Sequence, residues 1–361
     1  MKKFFSMILA ALAITACTTD DAYTLDDFTQ KYKQAEGQDP TPTPEADTLN
    51  VAIVYAGTTA TATGDVDKVT INKNGADVTV TVTTEKFLRL TLSGTSTDGS
   101  LLVYSQRAWG LVLNGLQLTN ADGSAINNQC SKWLYVTLAD GTENTLTDGT
   151  AYTDQTFDQK GTFFSEGQIL LAGTGKLTVN GNAKSGVVSD DYIVIGGGTL
   201  DINVTSTGGR GIKVNDGLTI NGGTTTITTS GACKIETADG VRDTTSAAGI
   251  KTDSLFVMTA GTLTITSSGD GGKGINATDS VIVRGGTLNI TTTGSNDVGK
   301  PKGIKSDKAI VVSGGTTTVK VSKSWACDNG VDTEDPTKRL TVEGSPLVKK
   351  LEKRTVDIRY E

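Results

Sequence analysis

The sequence predicts an all-β fold: a single-stranded, right-handed parallel β-helix with three short strands per coil and an N-terminal β cap. Three observations predict it. Apolar residues alternate in short runs such as VTVTV (78–82) and LDINV (200–204), the period-two signature of a half-buried strand. No segment carries the 3.6-residue period of a long amphipathic helix. The third observation is a repeat written in two independent markers. The threonines after small-residue pairs, Thr199, Thr224, Thr262, Thr287 and Thr316, are spaced by 25, 38, 25 and 29 residues. The apolar residues after a glycine, Val187, Ile212, Ile250, Ile275 and Ile304, keep the same four steps. A unit of about 25 residues with insertions is a stacking unit that cannot bury its apolar face alone.

Each unit holds three strand patterns. The first is YIVIGG, LTINGG, VIVRGG or IVVSGG. The second is TLDINV, TTTITT, TLTITS, TLNITT or TTTVKV. The third is GIKV, GIKT, GINA or GIKS. Alternation places Ile193/Ile195, Leu218/Ile220, Phe256/Met258, Val281/Val283 and Ile310/Val312 inside from the first pattern. From the second it places Leu200/Ile202, Ile227, Leu263/Ile265, Leu288/Ile290 and Val319 inside. The outer face of the second pattern is then a ladder rich in threonine: Thr199, Asp201, Asn203; Thr224, Thr226, Thr228; Thr262, Thr264, Thr266; Thr287, Asn289, Thr291; Thr316, Thr318, Lys320. Threonine suits any exposed strand. The same ladder is also a regular polar face for a periodic ligand.

The expected organisation follows the chain. Residues 1–16 read as a signal peptide: Lys2 and Lys3 precede the apolar FFSMILAALAITA, which is too short to span a bilayer comfortably. The run ends in ITAC, similar to the lipobox of bacterial lipoproteins, which implies lipidation of Cys17. Membrane attachment through that anchor and exposure at the outer-membrane surface are the expected localisation. Acidic TTDDAYTLDD and the Pro/Thr linker EGQDPTPTPEAD complete residues 17–48 as anchor and spacer. Residues 49–110 read as the cap and first coils, with hairpin signals in 51–100. Residues 111–345 read as the helix proper and 346–361 as a charged C-terminal cap.

Composition narrows the chemistry. The chain has 361 residues, a net charge of −7 and no long basic run, so a nucleic-acid partner is not expected. It contains no histidine, which removes His-based triads, His metal sites and the commonest general base. Cys130, Cys233 and Cys327 lack CxxC spacing, so zinc is not expected; buried free thiols or one disulfide remain. A monomer is expected.

LNGLQLTNADGSAI, VTLADGTENTLTDG, the stretch GTFFSEGQILLAGTGKLTVNGNAKSGVVSDDYIVIGGGTLDI and the recurring GIK resemble the carbohydrate-binding β-helix lipoproteins of polysaccharide-degrading bacteria. The likeness covers most of residues 50–320. It implies a pectate-lyase-like fold that binds cellulose or acidic pectic chains, with bound calcium. Those proteins often carry Asp before the Gly-Ile step, where this chain has Arg210, Lys273 and Lys302.

Candidate site residues follow. All length variation falls at one corner, between the second and third strand patterns, and loops stacked at one corner form a wall. Its cations Arg210, Arg242, Lys273 and Lys302 suit uronate or sulfate groups; its acids Asp239, Asp243, Asp270 and Asp297 can instead neutralise them. Asp191, Asp216, Asp253, Asp279 and Asp307 read as a second column, either turn-forming aspartates or calcium ligands. Beside it run Lys213, Lys251, Asn276 and Lys305. Trp133 and Tyr135 alternate with Leu134 and Val136, so they face outward, to stack on sugar rings or to pack under a loop. The expected function is non-catalytic polysaccharide binding by a surface lipoprotein. The alternatives are a structural or adhesive protein and a polysaccharide lyase.

Overall fold

The computed structural model describes residues 48–321 except 154–155, 240, 296, 309 and 313. Beyond residue 321 it describes the strands Trp325–Asp328, Leu340–Val342, Pro346–Glu352 and Thr355–Tyr360 as backbone. The signal sequence, Cys17 and the Pro/Thr linker lie outside the described residues.

The chain is all-β, but the fold class differs from the expected one. A right-handed parallel β-helix with three separate strands per coil calls for three sheets. Instead the strands join into one sheet of 19 and one of 11, with a separate two-stranded hairpin. Their parallel strands close around a shared core as a β-barrel wall with extra strands. The reason is local. At Trp109–Asn120, Leu218–Thr229 and Phe256–Ser267 the first and second strand patterns run on as single strands of 12 residues. Gly115, Gly223 and Gly261 supply the turn within these strands at φ of 76°, 71° and 84°. Only glycine adopts that backbone region without a steric penalty. The chain therefore bends there without leaving the sheet, and what reads as a corner between two strands is a kink within one.

Register follows the two sequence markers. Thr199 pairs with Thr224, Thr224 with Thr262, Thr262 with Thr287 and Thr287 with Thr316. On the 11-stranded sheet, Val187, Ile212, Ile250, Ile275 and Ile304 pair in the same succession. All these pairings are parallel. Antiparallel pairing occurs at the start, between Thr48–Ala56 and Thr59–Gly64 and between Thr70–Asn74 and Asp77–Val82. It recurs near the end, where Thr355–Tyr360 pairs with both Thr316–Val321 and Pro346–Glu352.

The residues assigned inward by alternation are all buried, from Ile193 to Val319. Thr225 and Thr317 share their column with Leu200, Leu263 and Leu288 and are buried too, each with a hydroxyl that has no hydrogen-bond partner among the described residues. The glycine of each Gly-Ile step is a packing requirement. A Cβ on Gly186, Gly211, Gly249 or Gly274 would stand 2.5, 2.2, 2.3 or 2.3 Å from Cγ2 of Ile202, Ile227, Ile265 or Ile290. The isoleucine column of the long sheet thus rests directly on a glycine column of the short one, which sets how closely the two walls approach. Buried amides serve the same end. Asn144 accepts from the Leu116 amide at 2.9 Å and donates to the Lys176 carbonyl at 3.0 Å, tying three successive layers.

Candidate functional site

The Gly-Ile step gives the 11-stranded sheet an unusual outer face. Glycine and isoleucine both point inward, so the residue before the glycine and the residue after the isoleucine both point out. Two columns result. The first runs Arg210, Ala248, Lys273, Lys302 and the second Lys213, Lys251, Asn276, Lys305.

The first column is largely covered. Lys273 is 8% exposed and Lys302 4%, while Arg210 is half-buried. The cover includes the insertion at residues 230–248, which forms the hairpin of Lys234–Ala238 and Val241–Thr245. A Cβ on Gly208 would meet Lys234 at 3.0 Å, and one on Gly271 would meet Cys233 Sγ at 2.5 Å, so the hairpin base packs onto the neighbouring loops. Burial lowers the Lys273 ammonium to about 8, and Lys305, Lys302 and Arg210 add to the fall; Cys233 opposes it. Burial likewise lowers Arg210, against the pull of Asp253. Lys273 Nζ donates to Ser246 Oγ. Arg210 Nε is buried with no hydrogen-bond partner among the described residues. The backbone of Arg242 sits opposite Thr237 in the hairpin, and its side chain lies outside the described residues.

The second column is more open and mostly charge-paired. Lys251 bonds Asp253 and Thr278 Oγ1, and Lys305 bonds Asp307. Burial, then Arg210, lowers the Lys213 ammonium.

The five predicted aspartates do not share a column. Asp216 N donates to the Asp191 carbonyl at 2.9 Å, Asp279 N to that of Ser254 at 3.1 Å and Lys308 N to that of Asp279 at 3.2 Å. That column therefore reads Asp191, Asp216, Ser254, Asp279, Lys308. Asp253 and Asp307 belong one position earlier, two residues after Lys251 and Lys305. Cationic or amide partners already serve four of the carboxylates: Gln168 for Asp191, Lys251 for Asp253, Lys308 at 2.6 Å for Asp279 and Lys305 for Asp307. A calcium site needs several oxygens converging on one point, and this arrangement does not fit one. Among the described residues one carboxylate trio does converge: Asp158, Glu166 and Asp190 have oxygens within 4.8 Å of one another. Its cation is protein-borne, because Lys160 Nζ lies 2.6 Å from Asp158 and bonds Asp190 as well. Burial and then Asp190 raise the Glu166 carboxyl.

Trp133 and Tyr135 lie together, rings stacked at 6.2 Å with 23° between planes, and Phe87 completes the group 6.1 Å from Tyr135. Trp133 is only 9% exposed, while Tyr135 is half-buried. Tyr192 is buried; its ring lies against Gly217, and its hydroxyl meets Thr219 Oγ1. Cys130 and Cys233 are buried free thiols, and the Cys327 side chain lies outside the described residues.

The open polar surface is the outer face of the long sheet. Its three columns begin before the regular repeats: Glu143, Lys176, Thr199; Thr145, Thr178, Asp201; Thr147, Asn180, Asn203. They continue in register through Thr224, Thr226, Thr228 to Thr316, Thr318, Lys320, and every one of these side chains is half-buried or exposed. Among the described side chains of these columns, contacts crossing the layers near the charged end are Lys176 to Asp201 at 2.7 Å, Asn180 to Thr147 at 3.1 Å and Asn203 to Asn180 at 3.2 Å.

Sequence reasoning missed a cluster at residues 148–184. Asp148 is buried, accepts from Tyr152 at 2.9 Å and from the Asn182 amide at 2.6 Å, and burial raises its carboxyl. Lys184 Nζ stands 4.5 Å from the Tyr152 ring centroid and donates to the Gln159 carbonyl at 2.6 Å. Only the pairing of distant layers brings these groups together, so no local motif could have announced them.

Comparison with known proteins gives the surface a context. Over 117 residues the chain is 33% identical to a carbohydrate-binding domain-containing protein of Acetivibrio thermocellus, a match covering 31% of this chain and 41% of that protein. The chain thus spans about two-fifths of the relative's length. In fold it is similar to the structure described as a polysaccharide lyase-like protein from C. thermocellum, gadolinium derivative. That likeness has a TM-score of 0.54 at 23% identity, covering 81% of this chain and 97% of the other. A family model described as carbohydrate-binding domain-containing protein matches residues 74–341, most of the chain. The chain belongs to the carbohydrate-binding domain-containing protein family.

Proposed function

We propose that this protein binds a polysaccharide without cleaving it, on the outer face of the 19-stranded sheet. One observation carries the reading: threonine, asparagine and aspartate side chains stand there in three columns whose register holds through successive layers. Strands repeat every 4.7–4.9 Å or so across a sheet, and same-face residues repeat about every 6.5–7 Å along it. A glycan laid across the strands meets a hydroxyl or carboxamide at each step. Threonine supplies a donor, an acceptor and a methyl group for sugar C–H faces. Many weak, equally spaced contacts suit a repeating ligand. Lys273 and Lys302 are buried, so their charges do not serve as an open attraction for a long chain. The lipobox-like ITAC at Cys17 supports display at the outer-membrane surface, where such a face would meet its ligand.

The test is retention of the protein on insoluble cellulose, on polygalacturonate and on a neutral soluble glucan. Thr226→Arg and Thr264→Arg place long charged side chains on the face without touching the core. Each is expected to weaken binding to the retained glycan at least tenfold. Unchanged retention in both variants refutes the assignment of this face. A second reading, lyase activity, is favoured only by the description of the structural neighbour. Ultraviolet absorbance from unsaturated uronides during incubation with pectate would establish it and displace the non-catalytic reading.

A further inference from the structure

One cation at the margin of the threonine face bears on what kind of glycan that face holds, given the glycan reading on which this step rests. Ile195, Ile220, Met258 and Val283 pair in succession and point into the core. Gly196, Asn221, Thr259 and Arg284 follow them in the chain and turn outward, at the bend that leads into the threonine columns. Arg284 is the charged member of that set. Its backbone N–H donates to the Met258 carbonyl at 2.8 Å, and Thr287, the first threonine of its layer, stands three residues on. Its Nε–H is buried without an acceptor, and its side chain joins no ion pair among the described residues. A desolvated donor left unpaired costs free energy, which an incoming acceptor offsets. The residue is half-buried and not enclosed, so it remains open to a ligand lying on the surface. The face beside it is uncharged. The layers Thr224, Thr226, Thr228, then Thr262, Thr264, Thr266, then Thr287, Asn289, Thr291 hold no ionisable side chain. Beyond them lie Asp201, paired with Lys176, on one side and the exposed Lys320 on the other.

We propose that Arg284 is a specificity-determining residue of this face, and that its ligand is a largely neutral polysaccharide bearing widely spaced uronate groups, one of which pairs with Arg284. A planar guanidinium matches a carboxylate fork to fork, while the threonine columns take the neutral backbone. A uniformly charged polyuronate would set most of its carboxylates against hydroxyls and amides with no counter-charge. A wholly neutral glycan would leave the guanidinium without its acceptor.

The experiment is isothermal titration of the whole protein at pH 7 with glucuronoxylan, with the same polymer after reduction of its carboxyl groups to alcohols, and with polygalacturonate. Native glucuronoxylan is expected to bind most tightly, ahead of the reduced polymer by about fivefold, the scale of one partly exposed ion pair. Arg284→Met should abolish that preference and leave affinity for the reduced polymer unchanged; Arg284→Lys should keep part of it. A second measurement needs no variant: added sodium chloride should erode the wild-type preference by screening, without weakening binding of the reduced polymer. Equal affinity of the wild type for both xylans overturns the proposal. So does a preference that survives in Arg284→Met, or tightest binding of polygalacturonate. None of these touches the glycan face itself, provided that Thr226→Arg still weakens retention. Retention on cellulose with no binding of either xylan likewise overturns the ligand class alone, whereas no binding of any glycan removes the face and Arg284 together.

Discussion

Replacing Lys273 with methionine should make the protein more stable at neutral pH. The side chain keeps its length and loses its charge. Burial and neighbouring cations bring the Lys273 ammonium down from its ordinary 10.5 to about 8. At about 1.4 kcal/mol for each tenfold change, that depression corresponds to about 3 kcal/mol against the charged form. Losing the bond to Ser246 returns roughly 1 kcal/mol, leaving a net gain of about 2 kcal/mol. The pH dependence has a definite sign. Below pH 8 both folded and unfolded chains hold the proton, and the whole penalty is present. Between 8 and 10.5 the unfolded chain holds the proton and the folded chain sheds it, so wild-type stability rises with pH. Above 10.5 both are neutral and the penalty is gone. Urea unfolding of wild type and Lys273→Met in sulfate-free buffer, at pH 7, 9 and 10.5, should show the variant's advantage shrinking across that window. A variant less stable than wild type at pH 7, or a difference that does not change with pH, refutes the reasoning: Lys273 would then have a full counter-charge within the protein.

Two further substitutions probe the core. Thr225→Val removes a buried hydroxyl that has no partner while keeping the shape of the side chain; it should raise stability by about 1 kcal/mol in urea unfolding, and a loss would mean that the hydroxyl is bonded. Gly249→Ala puts a Cβ 2.3 Å from Ile265 Cγ2 and 2.9 Å from the Gly274 carbonyl; a cost of about 1–3 kcal/mol is expected from overpacking, and a neutral result would show that the two walls can part without penalty.

Register was legible in the sequence because two markers, a threonine and an apolar residue after glycine, recorded it separately. The fold class was not. Gly-Gly and Ala-Gly pairs signal a turn, but nothing local says whether the strand ends there, and at Gly115, Gly223 and Gly261 the same strand resumes its pairing after a register shift. The aspartate column shows a finer failure. Its members step by 25, 37, 26 and 28 residues, against 25, 38, 25 and 29 for the true register. Asp253 stands one residue short, in line with Asn215 and not with Asp216. That discrepancy was readable and marks two columns. The burial of Lys273 and Lys302 was not readable. Lysines at loop ends are ordinarily exposed, and for Lys273 the cover comes from the distant 230–248 insertion, whose Ser246 it meets. Likewise the Asp148–Tyr152–Lys184 group depends on contacts spanning more than 30 residues, such as Asn182 to Asp148.

The glycine column beneath the isoleucines has an implication for how this surface can change. Interior contacts fix each backbone segment, and none of those contacts involves the outward side chains. A substitution at Thr226 or Asn289 therefore alters the letter shown at a known grid address and leaves the frame that holds it intact. Lineages or engineers could rewrite the display symbol by symbol, tuning which polymer it fits, while the scaffold behind it stays the same.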